Sequence, residues 1–146
     1  MTPHEKVLGA QLVLFRNPAS LAHRRGSAFL ARQAVEGAVR MALGKRESWN
    51  MTFRSRFILL RLVCPEAMAR EGHSLWAALS EVCHYHPYDL VPPASDVQLL
   101  LTDTQSWIND VENFVGDSVG LDRILATAGT GILAKQELSP REANLQ

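Results

Sequence analysis

The punctuation of this chain constrains its fold more than any other feature. Proline and glycine cut it into stretches, and between the cuts apolar residues recur every three to four positions rather than every two. Thr2-Pro3-His4-Glu5 has the form of a capping box, with proline in the first helical turn where its missing N–H is not needed. It opens a helix carried by Leu8, Leu12 and Phe15 that stops at Asn17-Pro18, and Asn17 is placed to cap a second helix. That second helix is expected to reach Leu43, with Gly44 as its C-terminal stop and Gly26 marking a candidate break.

Within the second helix, Arg32, Gln33, Glu36 and Arg40 share a polar face. Ala31, Ala34, Ala38 and Ala42 line the other side, with Val35, Val39 and Leu43 beside them. Small side chains let another backbone approach closely, which suits either the central helix of a bundle or a contact between two subunits. Beyond a polar linker, Phe53 to Val63 is too apolar for a surface helix; its leucine and arginine content favours helix over buried strand, and Pro65 ends it. A further helix is expected from Glu66 to about Tyr85, with Leu75, Leu79 and Val82 inward and Trp76 and Cys83 beside them. After a proline-rich connection, Ser95-Asp96-Val97-Gln98 forms a second capping box. Val97, Leu101, Thr104, Ile108, Val111 and Val115 then follow at helical spacing, and Gly116 closes the run. The pattern weakens after Asp117, where Val119 to Ala128 reads as a short helix and Ala128-Gly129-Thr130-Gly131 as flexible. The expected architecture is all-α: a four- to five-helix bundle over 1–116 and a loosely packed C-terminal tail over 117–146 that carries short helices.

Composition narrows the function classes. Of the 146 residues, 47% are hydrophobic and 21% charged, enough to close one core. No apolar window approaches the length of a membrane span, so no membrane association is expected. The first residues lack the basic and apolar regions of an export signal, and Cys64 and Cys83 are too few for a disulfide scaffold. Reduced thiols in a cytoplasmic protein follow as the expectation.

The formal net charge of zero hides a polarity. Residues 1–62 carry eleven Lys/Arg against three acidic residues, a balance of +8, and the remainder carries four against twelve, a balance of −8. Such a division suits a basic face for phosphate or nucleic acid. It equally suits basic helices lying beside acidic ones, within a subunit or between two. For the first alternative the candidate residues are Arg24, Arg25, Arg54, Arg56 and Arg61, since the planar guanidinium makes bidentate contacts to phosphate.

Cys83-His84-Tyr85-His86 looks like a metal fragment, with Cys83, His84 and His86 as candidate ligands. Zinc wants four ligands in a tetrahedron. His73 lies eleven residues from His84, about 16 Å along a helix, and cannot complete the set. Asp89 can pair with His84 or His86 to orient a general base, or simply fix a turn. The glycines lack the spacing of a dinucleotide fingerprint or a P-loop, so no cofactor is expected.

Phe29 to Val39 (FLARQAVEGAV) resembles the first long helix of HEPN-type domains, the higher-eukaryote and prokaryote nucleotide-binding helical bundles. Leu75 to Leu90 (LWAALSEVCHYHPYDL), followed by Pro92-Pro93, is similar to a segment of small bacterial helical proteins. The resemblance implies a four-helix bundle, often dimeric, found in RNA-cleaving toxins, in defence systems and in their non-catalytic relatives. Its catalytic form carries an arginine, four to six residues, then a histidine. Arg16 and His23 match that spacing, but they straddle Pro18 ahead of the long helix, whereas the family places the motif late in the bundle. The expected function is therefore a non-enzymatic helical interaction module, a catalytically silent HEPN-like protein of a bacterial regulatory or defence setting, that forms a homodimer or docks a protein partner. The alternative is a HEPN-like RNA- or nucleotide-binding protein, with metal-independent ribonuclease activity through Arg16 and His23 if it is an enzyme. A circular dichroism spectrum with strong helical minima is expected; one dominated by sheet contradicts the reading at its root.

Overall fold

Five α-helices form, in a computed structural model that describes residues 1–48, 50–84 and 90–143, with side-chain surroundings through residue 129. They are α1 (Pro3–Arg16), α2 (Leu21–Leu43), α3 (Phe53–Val63), α4 (Glu66–Cys83) and α5 (Ala94–Ala143), with a short 3-10 turn at Gly44–Arg46. No strand occurs among the described residues. The chain divides into Met1–Asn113 and Phe114–Gln146, and the bundle belongs to the first of these.

The caps do what their chemistry allows. The Thr2 hydroxyl accepts from the Glu5 N–H at 3.2 Å while the Glu5 carboxylate accepts from the Thr2 N–H at 2.6 Å, a complete capping box. The Thr2 backbone N–H, and after it the Thr2 hydroxyl, hold the Glu5 carboxyl below its ordinary range. Gly44 ends α2 at φ +54, a conformation in which a Cβ is strained, and its N–H bonds the Arg40 carbonyl. Thr52 caps α3 by accepting from the Ser55 N–H.

Two expected caps are elsewhere. Asn17 does not cap α2: Asn17-Pro18-Ala19-Ser20 closes a turn in which the Asn17 carbonyl accepts from the Ser20 N–H, leaving the Ser20 hydroxyl to accept from His23. Ser95 does not cap α5 either, because the Pro93 carbonyl already accepts from Asp96 and Val97 and places Ser95 inside the first turn. Gly26 does not break α2, and Gly116 does not close α5. A glycine inside a helix costs about 1 kcal/mol relative to alanine but keeps its N–H and C=O in the ladder, so by itself it weakens rather than stops. The stretch from 114 to 143 is accordingly one helical run rather than short helices around a flexible link. On it Leu121, Ile124 and Leu125 are exposed.

α2 is the axis of the bundle and touches α1, α3 and α4. Ala28, Ala31, Ala34, Val35, Ala38, Val39 and Leu43 are all fully buried and Ala42 is half-buried, so most of the alanine stripe is consumed inside the subunit. The narrow face lets the neighbours close in: the Ser27 hydroxyl donates to the Ala10 carbonyl of α1 at 2.8 Å, satisfying a buried polar group. On α1 the inward residues are Val7, Ala10 and Leu14, while the bulkier Leu8, Leu12 and Phe15 face out. On α3 only Arg56, Phe57 and Leu60 are buried, and Ile58 and Leu62 face solvent; the helix is a surface helix despite its composition.

The first part of α5 joins the bundle through Val97, Leu101, Thr104, Ile108 and Val111, all buried as their spacing predicts. Its largest anchor is Trp107, fully buried against Gly72 of α4. A Cβ at residue 72 would lie 2.2 Å from the indole Cζ2, so only glycine leaves room. The indole Nε1–H donates to the Met68 carbonyl at 2.9 Å. At the other end His4 of α1 accepts from Gln105 and meets Glu112 at 2.6 Å, both on α5.

Trp107→Ala should cost about 3–5 kcal/mol of stability from the lost burial and the cavity left behind. Gly72→Ala should cost about 1–3 kcal/mol or more through overpacking. Urea denaturation of both variants checks this, and near-native midpoints would contradict the notch.

Candidate functional site

The sequence offered two groups of basic and metal-binding residues, and the fold distributes them. Arg56 is 5% exposed; its Nε and Nη2 both reach Glu47 Oε1 at 3.0 Å, and its guanidinium lies 4.6 Å from the Phe53 ring centroid. Arg40 approaches Phe53 at 5.3 Å and Glu47 at 3.3 Å. Two guanidiniums thus hold one aromatic ring and share one carboxylate, which ties the 3-10 turn to the start of α3. Beside them the Trp76 indole donates to Glu36, which Arg32 also meets, and His73 stacks on Phe57 with centroids 5.0 Å apart. This aromatic and charged layer locks α2, α3 and α4 together.

Arg24 donates through Nη1 to the Pro92 carbonyl at 2.9 Å, fastening the segment before α5 onto α2. Arg54 and Arg61 stand exposed on α3. Of the five candidate arginines, Arg24 and Arg56 make interior contacts, Arg25 is half-buried, and Arg54 and Arg61 face outward. Arg16 is exposed at the end of α1, and His23 is half-buried in the first turn of α2.

Cys83 and His84 part company at the end of α4. Cys83 is half-buried with its thiol toward the Arg25 carbonyl of α2, whereas His84 is exposed. His86 and Asp89 lie outside the described residues. Among the described residues, no three His, Cys, Asp or Glu side chains come together as a metal site.

His84 instead lines a groove of about 670 Å³ between the end of α4 and the start of α5. Glu81, Asp96 and Asp103 give it negative charge, and Val91, Leu99 and Leu100 give it apolar surface. Position explains this chemistry. Asp96 sits in the first turn of α5, where the helix dipole favours an acid, and Leu99 and Asp103 follow on the same face at three- and four-residue steps. The arrangement has the makings of a recognition surface for a cationic, partly apolar partner; among the described residues that line it, no nucleophile is paired with a base.

Of the ion pairs among described residues, Arg32–Glu36, Arg40–Glu47 and Arg56–Glu47 stay within the basic half, and Arg70–Glu66 stays within the acidic half. His4–Glu112 crosses between them. Sequence reading missed this crossing contact, as it missed Trp107. His4 signals only a helix start, and nothing local points to a partner 108 positions away.

Comparison with known protein families, with curated proteins and with solved structures finds no match to this chain.

Burial raises both thiols above the ordinary value of 9.0, Cys83 against a smaller opposing pull from Arg32 and Arg25. Below that value both states hold the thiols protonated. Above it the unfolded chain releases protons first, so stability falls as pH rises through the alkaline range. Cys64 and Cys83 should therefore react with a thiol reagent at pH 8 more slowly than free cysteine, and urea should restore the free rate. Fast labelling of the folded protein would contradict the burial.

Proposed function

We propose that this chain is a non-enzymatic helical interaction module that self-associates or docks a protein partner. The observation that carries the reading is the ridge on α1. Leu8, Leu12 and Phe15 are 56%, 66% and 85% exposed and fall at four- and three-residue steps, so they form one continuous apolar line. Scattered surface leucines need no explanation, but a contiguous line of large apolar side chains marks an interaction surface. The engagement of Arg24 and Arg56 inside the subunit adds support, since it draws two of the five arginines away from a phosphate-binding role. On this reading the protein is a catalytically silent HEPN-like module, and RNA or nucleotide binding through Arg54 and Arg61 is the alternative.

Since Leu12 and Phe15 contribute nothing to the core, Leu12→Glu with Phe15→Glu should change stability by no more than about 0.5 kcal/mol. The same pair should weaken association of the protein with itself or its partner. Light scattering over a micromolar concentration series, with native extract screened for a bound protein, makes the test. A strict monomer with no partner would overturn the proposal. Filter binding to RNA at two salt concentrations tests the alternative, because phosphate contacts would make any binding strongly salt-dependent.

A further inference from the structure

Two exposed helix faces carry matching chemistry at matching spacing. On α3 the outward residues are Arg54, Ile58 and Arg61, at steps of four and three, with Leu62 beside them. On α5 the outward residues are Asp96, Leu99 and Asp103, at steps of three and four. Both series keep to a narrow strip of helix surface, and each spans about 10.5 Å at 1.5 Å per residue. Ile58 is 60% exposed and Leu99 61%, and among the described residues none of the four charged side chains makes an ion pair.

We infer that α3 of one copy docks antiparallel along the α5 face of a second copy. Arg54 then meets Asp103, Ile58 covers Leu99, and Arg61 meets Asp96. The order of the steps selects the direction. Run antiparallel, four-then-three reads against three-then-four and all three pairs align. Run parallel, the charges still meet, but Leu99 falls one residue out of step with Ile58. The helix ends agree as well, since Arg61 lies in the last turn of α3 and Asp96 in the first turn of α5. The groove beside α5 adds Glu81 to the acidic wall and Leu100 to the apolar floor, giving the arginines a negative field and Leu62 a place to bury.

A second copy is the occupant because this chain supplies both halves of the match: Arg54 and Arg61 on one face and Asp96 and Asp103 on the other, none in an ion pair among the described residues. In a two-fold dimer the contact is made twice, as an isologous interface requires. The inference rests on the interaction-module reading and adds to the α1 ridge a self-association contact through α3 and α5.

Charge reversal tests it. Arg54→Asp with Arg61→Asp makes both faces acidic, and Asp96→Arg with Asp103→Arg makes both basic. Wild type should be a dimer by light scattering at micromolar concentration, and its association should weaken as salt rises. Each reversed protein alone should associate about tenfold or more weaker, since like charges then oppose across both contacts. Mixed in equal amounts, the two should recover the dimer, because one contact is native and the other fully reversed. Circular dichroism of each variant confirms folding, and the salt series on wild type needs no variant. If wild type dimerises but both reversals dimerise equally well, the α3–α5 docking is overturned while the interaction reading stands. A wild type that stays monomeric overturns the docking, and if native extract also yields no partner the reading falls with it.

Discussion

Trp107 sits where the bundle would otherwise open. α1 to α4 already share α2 as their axis, but α5 is held by one indole laid over the backbone of Gly72 and hydrogen-bonded to the Met68 carbonyl. The absence of a side chain at residue 72 brings α4 and α5 close enough for Val97, Leu101, Ile108 and Val111 to close the core. His4 with Gln105 and Glu112 then ties the same helix to α1. If the notch were filled, the acidic face of α5 would lose its position beside the end of α4. The placement of that acidic face therefore depends on packing at a residue buried between two helices.

The interior of α2 and the exterior of α1 and α3 place their apolar residues differently. A helix whose buried face is mostly alanine and valine can be approached closely by its neighbours, and α2 is. Its neighbours need only one face each to satisfy it, which leaves α1 and α3 with large apolar residues that the fold does not use. The arginine, glutamate and aromatic layer around Phe53 fixes α3 firmly, so its outward face is a rigid platform rather than a flexible arm. Ordering such a surface in advance lowers the entropy lost on docking.

How much of this could be read from the sequence depended on whether the signal was local. The α2 face and the α5 core series were legible because a single helical period ran unbroken through them. The inward face of α1 was not, since Val7-Ala10-Leu14 and Leu8-Leu12-Phe15 are both valid helical series and bulk points to the wrong one. Arginine reads as a surface residue, so the burial of Arg56 needed its partners Phe53 and Glu47, the latter across the linker, to be seen together. The caps at Ser20 and Pro93 were obscured by better-known capping residues nearby. The pairing of Trp107 with Gly72 was beyond reach because it is a register between two helices, and neither residue announces the other. The candidate sites fared similarly: Cys83 and His84 look like one motif in sequence, yet the helix end turns them to different surroundings.

Proton NMR of the folded protein tests the central claim most directly. With the indole of Trp107 laid on the backbone of Gly72, the Gly72 Hα resonances should move well upfield by ring current and show cross-relaxation to the Trp107 ring protons. Gly72 resonances at random-coil positions, with no contact to the indole, would contradict this account of how the bundle closes.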